Sequence, residues 1–169
     1  MKTTIPTNDN VAEISVTYAT TIPTHDRVTV AHSHQAVEVL RFIWDDGKME
    51  LQESFKVILL NRKNQVLGVV TISDGGRVST QVDIRFLFGI LLKSASVAVI
   101  LSHNHPSGNR NPSESDMQLS QKIIDVAKLH DISILDHIIL TSESYYSFAD
   151  EGLLNISYGI TAKSSAHGN

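Results

Sequence analysis

Apolar and polar positions along this chain change their period several times, and each change marks an element. From 36 to 44 apolar residues recur at spacings of three and four, which predicts a helix, with Ser33 placed to cap it. Two apolar, β-prone runs at 55–60 and 66–72 flank the polar turn 61–64, and this order predicts a β-hairpin. A third strand is predicted at 78–82.

The second half of the chain mixes the two periods. Asp83 is placed to cap a helix from Ile84 to about Lys93 that is apolar enough to be buried on most sides. The short run 97–101 predicts a strand covered on both faces, and Ser113 starts a long amphipathic helix. Strands are predicted again at 132–140 and 145–148. Strands alternating with long helices indicate an α/β layer fold around a mixed sheet.

The two ends of the chain differ in character from the part between them. Residues 1–26 are rich in Thr, Pro and Asn and are predicted to form an N-terminal arm or edge strand, with alternation at Ile14, Val16 and Tyr18. Residues 161–169 are predicted to form a disordered tail. Residues 27–160 are predicted to form one domain, because a chain of 169 residues suffices for one ordinary core.

Composition narrows the chemistry that the chain can perform. Its net charge of −4 counts against tight nonspecific binding to nucleic acid, because such affinity comes from Lys and Arg. It contains no Cys, so His, Asp or Glu would have to hold any metal. Neither a signal peptide nor a segment long enough to span a bilayer is found, which predicts a cytoplasmic protein without membrane contact.

Residue types that bind metals follow the strand predicted at 97–101. His103 and His105 are two residues apart at the end of a strand, so their side chains point the same way. Asp116, in the first turn of the next helix, could be a third ligand and leave a fourth position for water, as in catalytic zinc sites. Glu53 is a candidate acid/base that is not a ligand, and Ser113 a candidate donor to an oxyanion.

The spacing of these residues is similar to that of a known family. His103-Asn104-His105-Pro106, six residues, and then Ser113 and Asp116 resemble the H-x-H-P-x6-S-x-x-D motif of JAMM (JAB/MPN) metalloproteases. The segments 102–109, 135–137 and 145–152 resemble the RadC branch of that superfamily. The resemblance covers roughly 27–158 and implies a three-layer α/β/α fold with a mixed sheet, similar to cytidine deaminases.

The resemblance also implies an activity and a role for each residue. It implies that His103, His105 and Asp116 bind zinc, that Glu53 is the general acid/base, and that Ser113 donates to the oxyanion. The implied reaction is hydrolysis of a peptide or isopeptide bond through a zinc-activated water. The implied partner is a protein or peptide substrate, such as the C-terminus of a ubiquitin-like or sulfur-carrier protein.

Alternatives to this interpretation stay open. Longer RadC proteins carry a helix-hairpin-helix region, for which the first 26 residues are too short and too polar, so we expect the short, domain-only form. A RadC-type DNA-repair or nucleic-acid-associated factor is the second hypothesis, and a metal-free scaffold is the third. Ser113 with Asp116 also fits a capping box. His137 is either a hydrogen-bonded core histidine or a residue that supports the site or lines a substrate groove.

Overall fold

A computed structural model describes residues 19–75 and 82–155. Most of the predicted arm, the strand predicted at 78–82 apart from its last residue, and the predicted tail lie outside these ranges. The described elements are the helices α1 (Ser33–Ile43), α2 (Asp46–Met49), α3 (Ile84–Lys93) and α4 (Glu114–Lys128), and the strands β1 (Ser54–Leu60), β2 (Val66–Asp74), β3 (Ala98–Asn104), β4 (Ser133–Leu140) and β5 (Tyr145–Ser147). Short 3-10 helices lie at Thr24–Asp26 and Leu153–Asn155.

The strands form one mixed sheet in the order β2-β1-β3-β4-β5. The predicted hairpin is confirmed, since β1 pairs antiparallel with β2, and β1 also pairs antiparallel with β3. β3 and β4 are parallel, with α4 as the crossover between them, and β5 returns antiparallel to β4. β3 is therefore the central strand, and all seven of its residues are buried.

Alternation along the strands divides the core into two clusters, one on each face of the sheet. On one face, Ile58, Leu60 and Ile100 pack with residues of α1. On the other face, Val57, Leu101 and their neighbours pack with residues of α3 and α4. Helices thus cover both faces of the sheet, which confirms the predicted three-layer α/β/α architecture. Alternate residues of β3 therefore face opposite layers.

The predicted caps of α3 and α4 are confirmed, but the one predicted for α1 is wrong. Ser33 is the first residue of α1, and His32 occupies the capping position. The side chain of Gln35 accepts hydrogen bonds from the backbone N–H groups of Ala31 and His32. The Ser33 hydroxyl instead donates to the Asp150 carboxylate. The group that was predicted to cap the helix therefore makes a tertiary contact.

The third helix is less buried than its composition suggests. Phe86 and Leu92 are 53% and 54% exposed, because α3 belongs to an outer layer and only its inner face meets the sheet. The expectation that this helix is buried on most sides is therefore wrong. Across the two described ranges, no helix combines the length and apolar character needed to cross a membrane.

Candidate metal centre

Three side chains converge where β3 ends and α4 begins. His103 is the penultimate residue of β3, His105 follows that strand, and Asp116 lies in the first turn of α4. The two Nε2 atoms of the histidines are 3.0 Å apart. Asp116 brings Oδ1 to 3.2 Å from Nε2 of His103 and Oδ2 to 3.5 Å from Nε2 of His105. Such a group could hold a metal ion, since its ligand atoms lie within 4.8 Å of one another.

The separations between these atoms fit a small tetrahedral cation. Ligand atoms at about 2.0–2.1 Å from a tetrahedral ion lie roughly 3.3–3.4 Å from one another. The separations of 3.0 Å between the two Nε2 atoms and 3.2 Å between Nε2 of His103 and Oδ1 of Asp116 are close to that edge length, while the 3.5 Å contact of His105 is with the other oxygen, Oδ2. Two imidazole nitrogens that face each other at 3.0 Å also need a proton or a cation between them, because their lone pairs repel.

The capping box of α4 orients the Asp116 carboxylate. The backbone N–H and the hydroxyl of Ser113 donate to Oδ2 of Asp116 at 2.7 and 2.6 Å. In return the Asp116 N–H donates to the Ser113 hydroxyl oxygen at 3.2 Å. Both interactions arise from residues three apart at a helix start, so the local sequence itself aims this carboxylate. The Ser113 hydroxyl, the candidate oxyanion donor, is engaged with Asp116.

His105 is oriented by the loop that follows it. Its backbone N–H donates to the carbonyl of Leu140 at 2.9 Å, which ties the residue to the end of β4. Its Nδ1 lies 2.6 Å from the carbonyl of Asn109 and therefore carries the hydrogen. Gly108 makes this return possible with a φ of 76°, in the left-handed region that favours glycine. Nε2 is thereby turned toward Asp116.

The pKa values of His105 and Asp116 depend on each other. Burial opposes ionisation of Asp116, but its contacts with the imidazoles of His103 and His105 outweigh burial and hold the pKa of this carboxyl well below its usual range. The hydrogen bond to Asp116 raises the pKa of His105 above the ordinary value of 6.5, with a smaller contribution from Glu53. The site thus holds an anionic carboxylate beside an imidazole that readily takes a positive charge, as expected where a cation can bind.

Glu53 lies on the same side of the sheet as the two histidines. It directly precedes β1, two residues before Phe55, which is paired with His103 in the neighbouring strand. The alternation of the strand therefore sends Glu53 toward the layer that contains α4. Its negative charge contributes to the raised pKa of His105, so the carboxylate is within electrostatic reach of the cluster. Its role as acid/base stays a prediction.

Asn104, between the two histidines, holds the backbone on both sides of Glu53. This fully buried amide accepts a hydrogen bond from the Ser54 N–H at 2.8 Å. It donates to the carbonyls of Gln52 at 2.9 Å and Met49 at 2.7 Å. Sequence reasoning missed this residue because the strand was predicted to end at 101, whereas β3 continues through Asn104. A buried amide in a strand requires such partners.

His137 lies in β4 directly beside this cluster. It is fully buried, with Nε2 2.8 Å from Nδ1 of His103 and Nδ1 2.5 Å from the hydroxyl of Ser120. The ring of Phe148 stacks on it at 4.8 Å between centroids. Desolvation holds the pKa of His137 well below its ordinary value. Sequence reasoning missed Ser120, whose only signal was its place one helical turn after Asp116.

A second buried carboxylate anchors the edge of the sheet next to His137. Asp136 accepts hydrogen bonds from the Ser147 hydroxyl at 2.6 Å and from the Ala149 N–H at 2.9 Å. It also accepts one from the His137 N–H at 2.7 Å. Burial raises the pKa of Asp136 despite these donors. These contacts fix the turn after β5 against β4, so Asp136 supports the fold around His137 and is not part of the cluster.

The chain is a three-layer α/β/α domain in which two histidines and an aspartate meet at the end of the central strand. This combination places it in the class of candidate metal-binding domains. The profile of the RadC-like JAB domain family matches residues 30–153. The chain therefore belongs to the RadC-like JAB domain family.

Curated relatives agree with this family. The chain is 45% identical over 101 residues to a UPF0758 protein of Flavobacterium johnsoniae, an alignment that covers 60% of this chain and 44% of the relative. It is 40% identical over 103 residues to the UPF0758 protein YkfG of Escherichia coli, covering 61% of this chain and 65% of the relative. The aligned part thus spans less than half of the first relative's length and about two thirds of the second.

Proposed function

We propose that this chain is a zinc-dependent hydrolase of the JAMM type that cleaves a peptide or isopeptide bond. The observation that carries the proposal is the convergence of the His103, His105 and Asp116 ligand atoms, within 4.8 Å of one another, in a domain of the RadC-like JAB family. Three protein ligands leave one position for a reacting group, which distinguishes catalytic from structural zinc sites.

The chemistry of the donor set favours zinc. Two imidazoles and one carboxylate are borderline donors that suit zinc, whereas magnesium and calcium prefer a shell of oxygen atoms. When bound, zinc supplies Lewis acidity, which makes water more acidic and polarises a carbonyl. The site is accessible, since the side chain of His105 is 16% exposed while that of His103 is only 2% exposed. Substrate would therefore approach from the side of His105.

Each remaining residue has a separate task in the proposed reaction. Glu53 takes a proton from the attacking water and passes it to the leaving nitrogen, which an amide needs in order to depart. The Ser113 hydroxyl, which in this structure donates to Asp116, would donate to the developing oxyanion of the substrate. We propose a protein or peptide substrate, with the C-terminus of a ubiquitin-like or sulfur-carrier protein as the first class to test.

Metal analysis of purified protein tests the ligand set. We expect about one zinc per chain, because one three-ligand cluster is proposed. His103→Ala and Asp116→Ala should each remove most of the metal, whereas His130→Ala, outside the cluster, should retain it. Full zinc retention in the His103→Ala/Asp116→Ala double variant would contradict the proposal.

Cleavage assays test the reaction. A panel of isopeptide-linked and C-terminally extended small β-grasp proteins is incubated with the zinc-loaded protein, with and without chelator. On any substrate found, Glu53→Gln should retain zinc and fold but lose roughly two to four orders of magnitude in rate, because an amide cannot relay the proton. Glu50→Gln is the matched control on an exposed neighbour. A wild-type rate for Glu53→Gln would exclude the acid/base role.

A further inference from the structure

A chain of buried hydrogen bonds leads from α4 through β4 to the candidate ligand His103. The Ser120 hydroxyl contacts the backbone carbonyl of Asp116 at 2.6 Å and Nδ1 of His137 at 2.5 Å. The other nitrogen of His137 contacts Nδ1 of His103 at 2.8 Å. Ser120, His137 and His103 are at most 3% exposed, so each of these contacts is shielded from water.

The direction of the hydrogen bonds follows from the first of them. The Asp116 carbonyl can only accept, so the single hydroxyl hydrogen of Ser120 points to it. Toward His137 the Ser120 oxygen must then accept, which requires the hydrogen of the ring to be on Nδ1 of His137. The tautomer of His137 is thus set by the backbone carbonyl of Asp116, which lies one helical turn before Ser120 in α4.

Burial decides the state of the second nitrogen. His137 is fully buried and lies against the rings of Phe55 and Phe148, where a charged imidazolium would be strongly desolvated. A neutral ring with its hydrogen on Nδ1 has a lone pair on Nε2. The contact between His137 and His103 is therefore donated by Nδ1–H of His103, which leaves Nε2 of His103 for the metal.

We propose that Ser120 and His137 are positioning residues that fix the tautomer and the ring orientation of His103, so that its Nε2 faces the metal site. The proposal rests on the proposed function in one respect, the assignment of His103 as a ligand. The two histidine ligands are then oriented by different means, His105 by the Asn109 carbonyl of its own loop and His103 by a side chain of another strand.

The same chain couples two of the three candidate ligands. Ser120 binds the carbonyl of Asp116, so the turn of α4 that carries the carboxylate and the imidazole of His103 share one set of contacts. Partners that orient a histidine ligand typically change metal affinity by 10–100-fold when removed. Loss of Ser120 or His137 should therefore weaken zinc binding although neither residue is a candidate ligand.

Zinc affinity, measured by competition with a chromophoric chelator, tests the coupling. Ser120→Ala and His137→Leu should each fold and bind zinc roughly 10–100-fold more weakly. His137→Gln should recover part of the loss, because its amide oxygen can accept from His103. Ser142→Ala, an exposed serine outside the cluster, is the matched control and should bind zinc as the wild type does.

Nitrogen-15 NMR of the histidine side chains tests the tautomers without any activity assay. We expect His137 to be neutral with its hydrogen on Nδ1, and a slowly exchanging hydrogen on Nδ1 of His103 that disappears or shifts in His137→Leu. A hydrogen on Nε2 of wild-type His137 would overturn the proposal, and this measurement decides even if His137→Leu fails to fold. Unchanged zinc affinity in folded Ser120→Ala and His137→Leu would overturn it equally.

The two proposals fail in different ways. If wild-type protein binds zinc but the variants bind it as tightly, the positioning role is wrong and the zinc site stands. If wild-type protein binds no zinc while metal-free protein shows the expected tautomers and their change in His137→Leu, the proposed zinc function is wrong and the orienting contacts stand.

Discussion

At the scale of single residues, the partners of a side chain decide what it can do here. His103, His105 and His137 lie within one small region, yet each has a different environment. His105 contacts a carboxylate, and the hydrogen bond between them raises its pKa. The imidazole of His137 forms hydrogen bonds with His103 and Ser120 but with no carboxylate, and burial lowers its pKa. Histidines of the same small region thus have different roles: His105 is a candidate ligand, and His137 supports one.

The raised pKa of His105 predicts the pH dependence of the metal-free protein. The contribution of the His105–Asp116 contact is complete below the ordinary histidine pKa of 6.5 and is lost as pH rises through the higher pKa of the folded state. Asp116 acts oppositely: its lowered pKa gives stability that is present above about 3.8 and lost on acidification. In the metal-free protein the His105–Asp116 contact should therefore contribute most to stability between these values, whereas the lowered pKa of His137 removes stability as pH falls below 6.5.

Urea unfolding in chelator across a pH series checks this expectation. The loss of stability above pH 6.5 should be smaller in His105→Gln, which cannot bind the second proton, while His25→Gln, an exposed histidine elsewhere, should follow the wild type. Zinc should bind more tightly as pH rises, because metal and proton compete for His105. Identical pH profiles for wild type and His105→Gln would contradict the assignment.

Asn104 offers a second prediction at this scale. Asn104→Ala leaves the Ser54 N–H and the carbonyls of Gln52 and Met49 without their buried partner. We expect a loss on the order of 3 kcal/mol in the free energy of unfolding, measured by denaturant titration, because buried unsatisfied groups cost about 1–3 kcal/mol each. Asn111→Ala, at an exposed position of the loop before α4, is the control and should cost less. A loss below about 1 kcal/mol would show that the amide does not hold this segment.

At the scale of elements, the start of α4 serves both the helix and the site. Its N-cap, Ser113, satisfies a backbone donor of the first turn and binds the carboxylate of Asp116. The start of β1 also has two roles, since the Asn104 contacts that begin the strand also hold Glu53 near the cluster. Ends of elements therefore carry the candidate chemistry, while their middles form the two core clusters.

Ser113→Ala separates the two roles of this cap. It should lower the free energy of unfolding by about 0.5–2 kcal/mol, as removal of an N-cap does. It should retain zinc, yet reduce the cleavage rate by roughly two to three orders of magnitude at equal folded fraction. Asp83→Ala, which removes the cap of α3, should cost similar stability and leave the rate unchanged. Equal rates for the two variants would leave Ser113 a structural cap only.

At the scale of the whole molecule, topology determines what meets at the end of β3. The parallel pairing of β3 with β4 requires a crossover, and α4 as that crossover begins beside the strand end that carries the histidines. The antiparallel neighbour β1 brings Glu53 to the same edge. A central, wholly buried β3 also keeps the support of the site away from water.

The charge of the whole chain predicts its behaviour toward nucleic acid. With a net charge of −4, we expect weak binding to duplex DNA at physiological salt, because few phosphates can be neutralised. A gel-shift titration across salt concentrations, with a basic DNA-binding domain as positive control, measures this. A tight complex that resists salt would favour the nucleic-acid-associated alternative over the hydrolase.

Features that depend on neighbours in the chain could be predicted from the sequence alone. Alternation and helical periods predicted the five described strands and the helices α1, α3 and α4, because these periods are properties of the local backbone, but they did not predict the short α2. The two-residue spacing of His103 and His105 predicted a shared direction, and Ser113 with Asp116 predicted a capping box, which the structure confirms.

Contacts between groups distant in sequence became known only from the folded chain. The partners of Asn104 lie 50 to 55 residues away in sequence, and His137 reaches His103 across 34 residues. Such contacts depend on strand order, register and the packing of α4, which no local period encodes. The Ser33 hydroxyl shows the same effect, since it donates to Asp150, far along the chain, and does not cap α1. Local pattern thus placed the candidate ligands on their elements, and long-range packing decided what orients them.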